Sequence, residues 1–96
     1  MALGPAGSVF LCGYEVLVDQ GPEQGFVRKF DKDGGTVWTY SRMSIYPDGF
    51  SSFHRVIADG DAIFVVGAEE IDDNVYQVLV ERLDPVDGQP VWTVLQ

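Results

Sequence analysis

The chain is poor in the residues that anchor most recognisable chemistries. Among its 96 residues there is one cysteine, Cys12, and one histidine, His54. A lone cysteine cannot form an intrachain disulfide, and one His with one Cys cannot build a structural zinc site. The neighbours Phe10, Leu11 and Val16 make Cys12 read as a small buried hydrophobe. Basic residues are also scarce and scattered, 6 Lys and Arg against 15 Asp and Glu, for a net charge of −9. Polyanion binding needs clustered cations that displace counterions, so nucleic acid and anionic membranes are excluded as expected partners. Long apolar runs are missing too: the stretch from Ala62 to Ala68 is far short of the roughly 20 residues that span a bilayer. The N-terminal residues lack the basic and apolar regions of a secretory signal, which makes cytoplasmic expression the default expectation.

No phosphate-binding glycine loop and no nucleophile elbow is present. Asp31-Lys32-Asp33-Gly34 opens like a calcium loop, but Thr36 stands where the loop needs glycine and Arg42 where it needs a bidentate Glu. That segment reads as a turn. Ser51, Ser52 and His54 lie close in sequence without any triad signature, and His54 is expected on a strand. No catalytic residue, metal ligand or cofactor is therefore assigned.

What is present is internal repetition. Val9-Phe10-Leu11-Cys12-Gly13-Tyr14-Glu15 aligns with Ile63-Phe64-Val65-Val66-Gly67-Ala68-Glu69 at an offset of 54 residues. Phe26 to Asp31 aligns with Leu79 to Asp84 at 53, and Val37-Trp38-Thr39 aligns with Val91-Trp92-Thr93 at 54 again. Three blocks in one order predict two copies of one unit. The unit reads as strands: residues 76–84 alternate with the two-residue period of a sheet. Runs at 8–13 and 62–67 stop at glycines, and runs at 36–41 and 90–95 follow Asp-Gly turn dipeptides. With 25–31 and 53–59, this gives four strands per unit, the first copy beginning with only a stub; aligned at 54, Ala2 falls opposite Val56.

The apolar run, the glycine, and then Phe-Val-x-Lys-Phe-Asp-x-Asp-Gly-x-x-Val-Trp-Thr-Tyr resemble bacterial β-propeller repeats of the SBBP type. Leu83-Asp84-Pro85-Val86-Asp87-Gly88-Gln89-Pro90-Val91-Trp92 is similar to the tryptophan motif of PQQ-like propeller repeats, although no quinone-stacking or calcium set accompanies it. The resemblance implies an all-β fold of two four-stranded antiparallel blades. Residues 1–41 would form the first blade, 53–96 the second, and 42–52 the connection within a single unit of 1–96.

Alternation puts Trp38 and Trp92 on the face opposite their valine and threonine neighbours, so both are expected to dock one blade on the next; a ligand-stacking platform is the alternative. Two blades leave apolar faces open, exposing some of Val9, Leu11, Val27, Ile63, Val65, Val78 and Val80. Propellers typically close with 4 to 8 blades, so the expected partner is the chain itself, as a homotrimer of six blades or a homotetramer of eight, the alternative being a longer chain that supplies the missing blades. One rim would gather the acidic loops, where Glu15, Asp19, Tyr46, Asp48, Glu69, Glu70, Asp72 and Asp73 are the candidate ligand contacts. The expected function is a non-catalytic binding or scaffolding module for a small molecule, sugar or basic peptide. The alternative is an enzyme or carbohydrate-binding protein with a site near the ring axis, for which Tyr14, Tyr46 and Tyr76 are the available aromatic loop residues.

Overall fold

Alternating side chains separated by tight turns produce a chain of antiparallel strands, and the computed structural model describes them over residues 1–16 and 21–96. They are β1 (Ala2–Leu3), β2 (Val9–Val16), β3 (Glu23–Phe30), β4 (Thr36–Arg42), β5 (Ser51–Asp59), β6 (Ala62–Asp72), β7 (Val75–Leu83) and β8 (Pro90–Leu95). Among the described residues the only helical element is a single 3-10 turn, Pro5–Gly7. Two four-stranded sheets result, in the orders β1-β2-β3-β4 and β5-β6-β7-β8. The protein is all-β, and no helix of the described residues is long and apolar enough to cross a membrane.

The turns have local causes. Asp31 Oδ1 accepts hydrogen bonds from the amides of Asp33 and Gly35, both at 2.9 Å, folding the side chain over the β3–β4 turn. Asp84 and Asp87 do the same between β7 and β8, accepting from Val86 N at 2.8 Å and Gln89 N at 2.9 Å.

Pairing register agrees between the sheets to the residue. Lys29 lies opposite Trp38 and Arg82 opposite Trp92, and each pair is followed by a bulge, at Lys29/Phe30 and at Arg82/Leu83. Likewise Val9 faces Phe30 as Ile63 faces Leu83. The outermost strand departs from the alignment made above. Ala2 pairs with Phe10, the position that Ile57 takes against Phe64, so its counterpart is Ile57 and not Val56.

Two expected strand ends are also corrected. β2 runs through Gly13 to Val16, and β6 runs through Gly67 to Asp72. The glycines do not stop the ladders because β3 continues to supply partners to β2, and β7 to β6.

The sheets pack face to back around Phe10 and Val27 from the first and Phe53, Val56, Ile63, Val65, Leu79 and Leu83 from the second. Cys12, Trp38, Tyr40 and Leu95 border this core. Every second residue of β6 and β7 points inward, which is why Ile63, Val65, Glu69, Leu79, Glu81 and Leu83 are all fully buried.

Candidate interfaces and rim loops

The contact between the sheets is built by one face of β2–β4 laid on the opposite face of β5–β7. Trp38 Nε1 donates to the Pro85 carbonyl at 2.9 Å, and Lys29 Nζ reaches the same oxygen at 2.8 Å. The indole ring rests against Phe10, with centroids 6.0 Å apart and planes tilted by 44°. Its far side meets Gly88, where a Cβ would stand only 2.5 Å from ring atoms. Gly88 also holds a φ of +76°, so both the turn and the close approach require glycine.

Beyond the tryptophan lies a buried polar group. Arg42 Nε donates to Glu69 Oε1 at 2.6 Å, and Nη1 reaches Glu81 Oε2 at 3.4 Å. Both carboxylates are fully buried. Glu81 also accepts from the Tyr40 hydroxyl at 2.9 Å and from Thr93 Oγ1 at 2.6 Å. Burial, followed by the Glu81 charge, pushes the Tyr40 phenol up to about 12. For Arg42 burial acts to lower the pKa, but its bonds to Glu69 and Tyr40 and the two carboxylate charges together raise it. Ser51 pins the strand ends, donating to the Arg42 carbonyl at 2.6 Å while accepting from Gly25 N at 2.9 Å. Such a network fixes how one sheet seats on the other, since any slip strands a buried charge.

At the rim, the acidic candidates separate into two groups. Glu69 belongs to the Arg42 network. Glu70 is 7% exposed, and its carboxylate accepts from Phe50 N at 3.0 Å and Asn74 N at 2.9 Å, tying two loops together. Glu15 is half-buried and pairs with Arg28 at 3.4 Å. Asp48, Asp72 and Asp73 are exposed, and Tyr46 beside them is half-buried. The Tyr46 hydroxyl is held above its ordinary pKa by desolvation and then by Asp73, Asp72 and Glu70. Tyr76 is raised by desolvation, Glu70 and Glu23. Asp19 lies outside the described residues. A cleft of about 280 Å³ opens at this rim, lined by Gly21, Pro22, Gln24, Met43, Ser44, Tyr46, Asp48 and Gly49.

Trp92 lies on the outer face of the second sheet. It packs on Phe64 at 6.2 Å and 45°, nearly the geometry of Trp38 on Phe10, yet it is 41% exposed. Of the apolar residues expected on open faces, Val27, Ile63 and Val65 are buried between the sheets, whereas Leu11 and Val78 are exposed. Ser52 Oγ and His54 Nε2 lie 3.1 Å apart on the exposed side of β5. Among the described residues no carboxylate hydrogen-bonds that ring, and no cluster of three His, Cys, Asp or Glu could hold a metal ion.

Sequence reasoning missed Lys29, Tyr40, Arg42 and Glu81. A signal was there for one of them: Glu81 alternates with Leu79 and Leu83, an inward register that demands a cationic or hydrogen-bonding partner. No protein-family model matches the chain, and no curated protein matches it significantly.

Proposed function

We propose that this chain is a non-catalytic binding or scaffolding module consisting of two consecutive β-propeller blades, closed into a ring by further copies of itself. One observation carries the reading. Two four-stranded meanders of equal register stack face to back, so that the buried Trp38 face of the first has an exposed counterpart in the Trp92 face of the second. Face-to-back stacking is heterologous, and heterologous contacts either close into rings or run on as filaments. Three copies would make six blades and four would make eight.

Ligand recognition in this reading falls to the half-buried Tyr46, the exposed Asp48, Asp72 and Asp73 and the adjoining cleft. Glu69 and Glu70 serve the fold, because their carboxylates are already engaged. A thermal-shift screen against sugars, divalent metals and basic peptides tests this. The expected result is stabilisation by one class that is lost in the Asp72→Asn, Asp73→Asn double variant. A ligand whose effect survives that variant contradicts the assignment of the rim, and a screen with no stabilising class contradicts the binding function.

A further inference from the structure

Resting on the self-assembly just proposed, we infer which surfaces meet: the Trp92 face of one chain seats on the Leu11–Arg28–Phe30 face of a second copy, with a charge arrangement distinct from that of the internal interface.

The internal interface supplies the template. Carrying its contacts across by the offsets of 53 and 54 maps Trp38 onto Trp92 and Gly88 onto Gly34. Gly88 is filled by the Trp38 ring, while Gly34, at a φ of +87°, has nothing within 4 Å of where a Cβ would stand. The seat for Trp92 is therefore empty on the same chain and available on another. Lys29 maps onto Arg82. Lys29 donates across the internal interface to the Pro85 carbonyl, whereas Arg82 Nε is buried without a hydrogen-bond partner. Both cations lie over the corresponding phenylalanine, Lys29 at 5.7 Å from Phe10 and Arg82 at 6.0 Å from Phe64.

Charge then identifies the occupant. In the internal interface the receiving face carries Glu69 and Glu81, and the docking face brings Arg42 to them. On the outer receiving face the corresponding residues are Glu15 and Arg28, which already neutralise each other at 3.4 Å. The docking residues that would meet them, Val94 for Tyr40 and Gln96 for Arg42, carry no charge. Gln96 continues the ladder beside β7, its amide donating to Val78 O at 2.9 Å, as Arg42 pairs with Gly25. Where the receiving face lacks a cation Arg42 provides one, and where it has its own, in Arg28, the neutral Gln96 stands in the place of Arg42. The two outer faces of this chain are matched in charge to each other, which favours a second copy as the occupant.

The test is a cycle of Arg28→Glu and Gln96→Arg, read by sedimentation equilibrium, with far-UV circular dichroism as the check on folding. Arg28→Glu places two uncompensated carboxylates on the receiving face, and Gln96→Arg alone sets a cation against Arg28. Each single variant is expected to weaken self-association by about tenfold or more, and the double variant to restore it by recreating the Glu-Arg-Glu arrangement. Because Gln96 and Trp92 are exposed, Gln96→Arg and Trp92→Ala keep the test alive if Arg28→Glu does not fold. Trp92→Ala is expected to weaken association by about 30-fold. An assembled wild type whose association is insensitive to these variants, or weakened additively in the double, overturns this pairing of faces but leaves self-assembly standing. A wild type that stays monomeric overturns both.

Discussion

The two sheets have the same strand order and the same register, and each carries a Phe-Trp pair at nearly equal distance and tilt. They differ in what covers that pair. Trp38 is half-buried, its ring covered by Pro85 and Gly88, while Trp92 is 41% exposed. Local sequence thus dictates the aromatic pair, and the neighbouring sheet dictates its burial. The polar residues follow the neighbour as well: Tyr40 and Arg42 face buried carboxylates, and Val94 and Gln96 stand at the equivalent positions of the open face.

Substitutions at matched positions should separate these contributions. The largest effect is expected from Arg42→Ala, which leaves Glu69 and Glu81 buried without their cation and should cost about 3–5 kcal/mol in urea unfolding. Gln96→Ala, at the equivalent place in the second sheet, should change stability by less than about 0.5 kcal/mol. Next comes Trp38→Ala, at about 3 kcal/mol, because it removes a packed ring and its bond to Pro85. Trp92→Ala, measured at concentrations below those of assembly, should cost about 1 kcal/mol, the worth of one aromatic contact. Equal costs for the two tryptophans would dissolve the distinction between the faces.

A finer comparison uses the turn glycines. Both Gly34→Ala and Gly88→Ala force a left-handed φ on a residue with a Cβ, at about 1–2 kcal/mol. Only Gly88→Ala also drives a methyl into the Trp38 ring, so it should be the costlier of the two by thermal unfolding.

The smallest expected effect is alkaline. Burial and Glu81 raise the Tyr40 phenol to about 12, above the value near 10 in the unfolded chain. The folded state keeps a proton that the unfolded state loses, so this contribution is intact below about pH 10 and is lost as pH rises towards about 12. Tyr40→Phe should flatten that part of the stability profile while leaving its neutral-pH end little changed.

Much of this architecture was legible in the residues. Alternation along 76–84 and the Asp-Gly dipeptides located the strands, because pleat period and turn chemistry are local properties. The extension of β6 to Asp72 was not legible, since two consecutive glutamates look like a solvated loop. What turns them into strand is tertiary: Arg42 neutralises one, and the amides of Phe50 and Asn74 satisfy the other. For the same reason Glu69 and Glu70 looked like ligand contacts and serve as internal ties. Arg42 itself, beside a variable loop, carried no mark of its role, because its two partners lie 27 and 39 residues further along the chain.

The central claim is that the exposed Trp92 face is a docking face for another copy, and light scattering of the purified chain at micromolar concentration tests it most directly. The account predicts a closed species of about 32 or 42 kDa, three or four times the 10.6 kDa of one chain. A folded particle of 10.6 kDa that persists as concentration rises would contradict it.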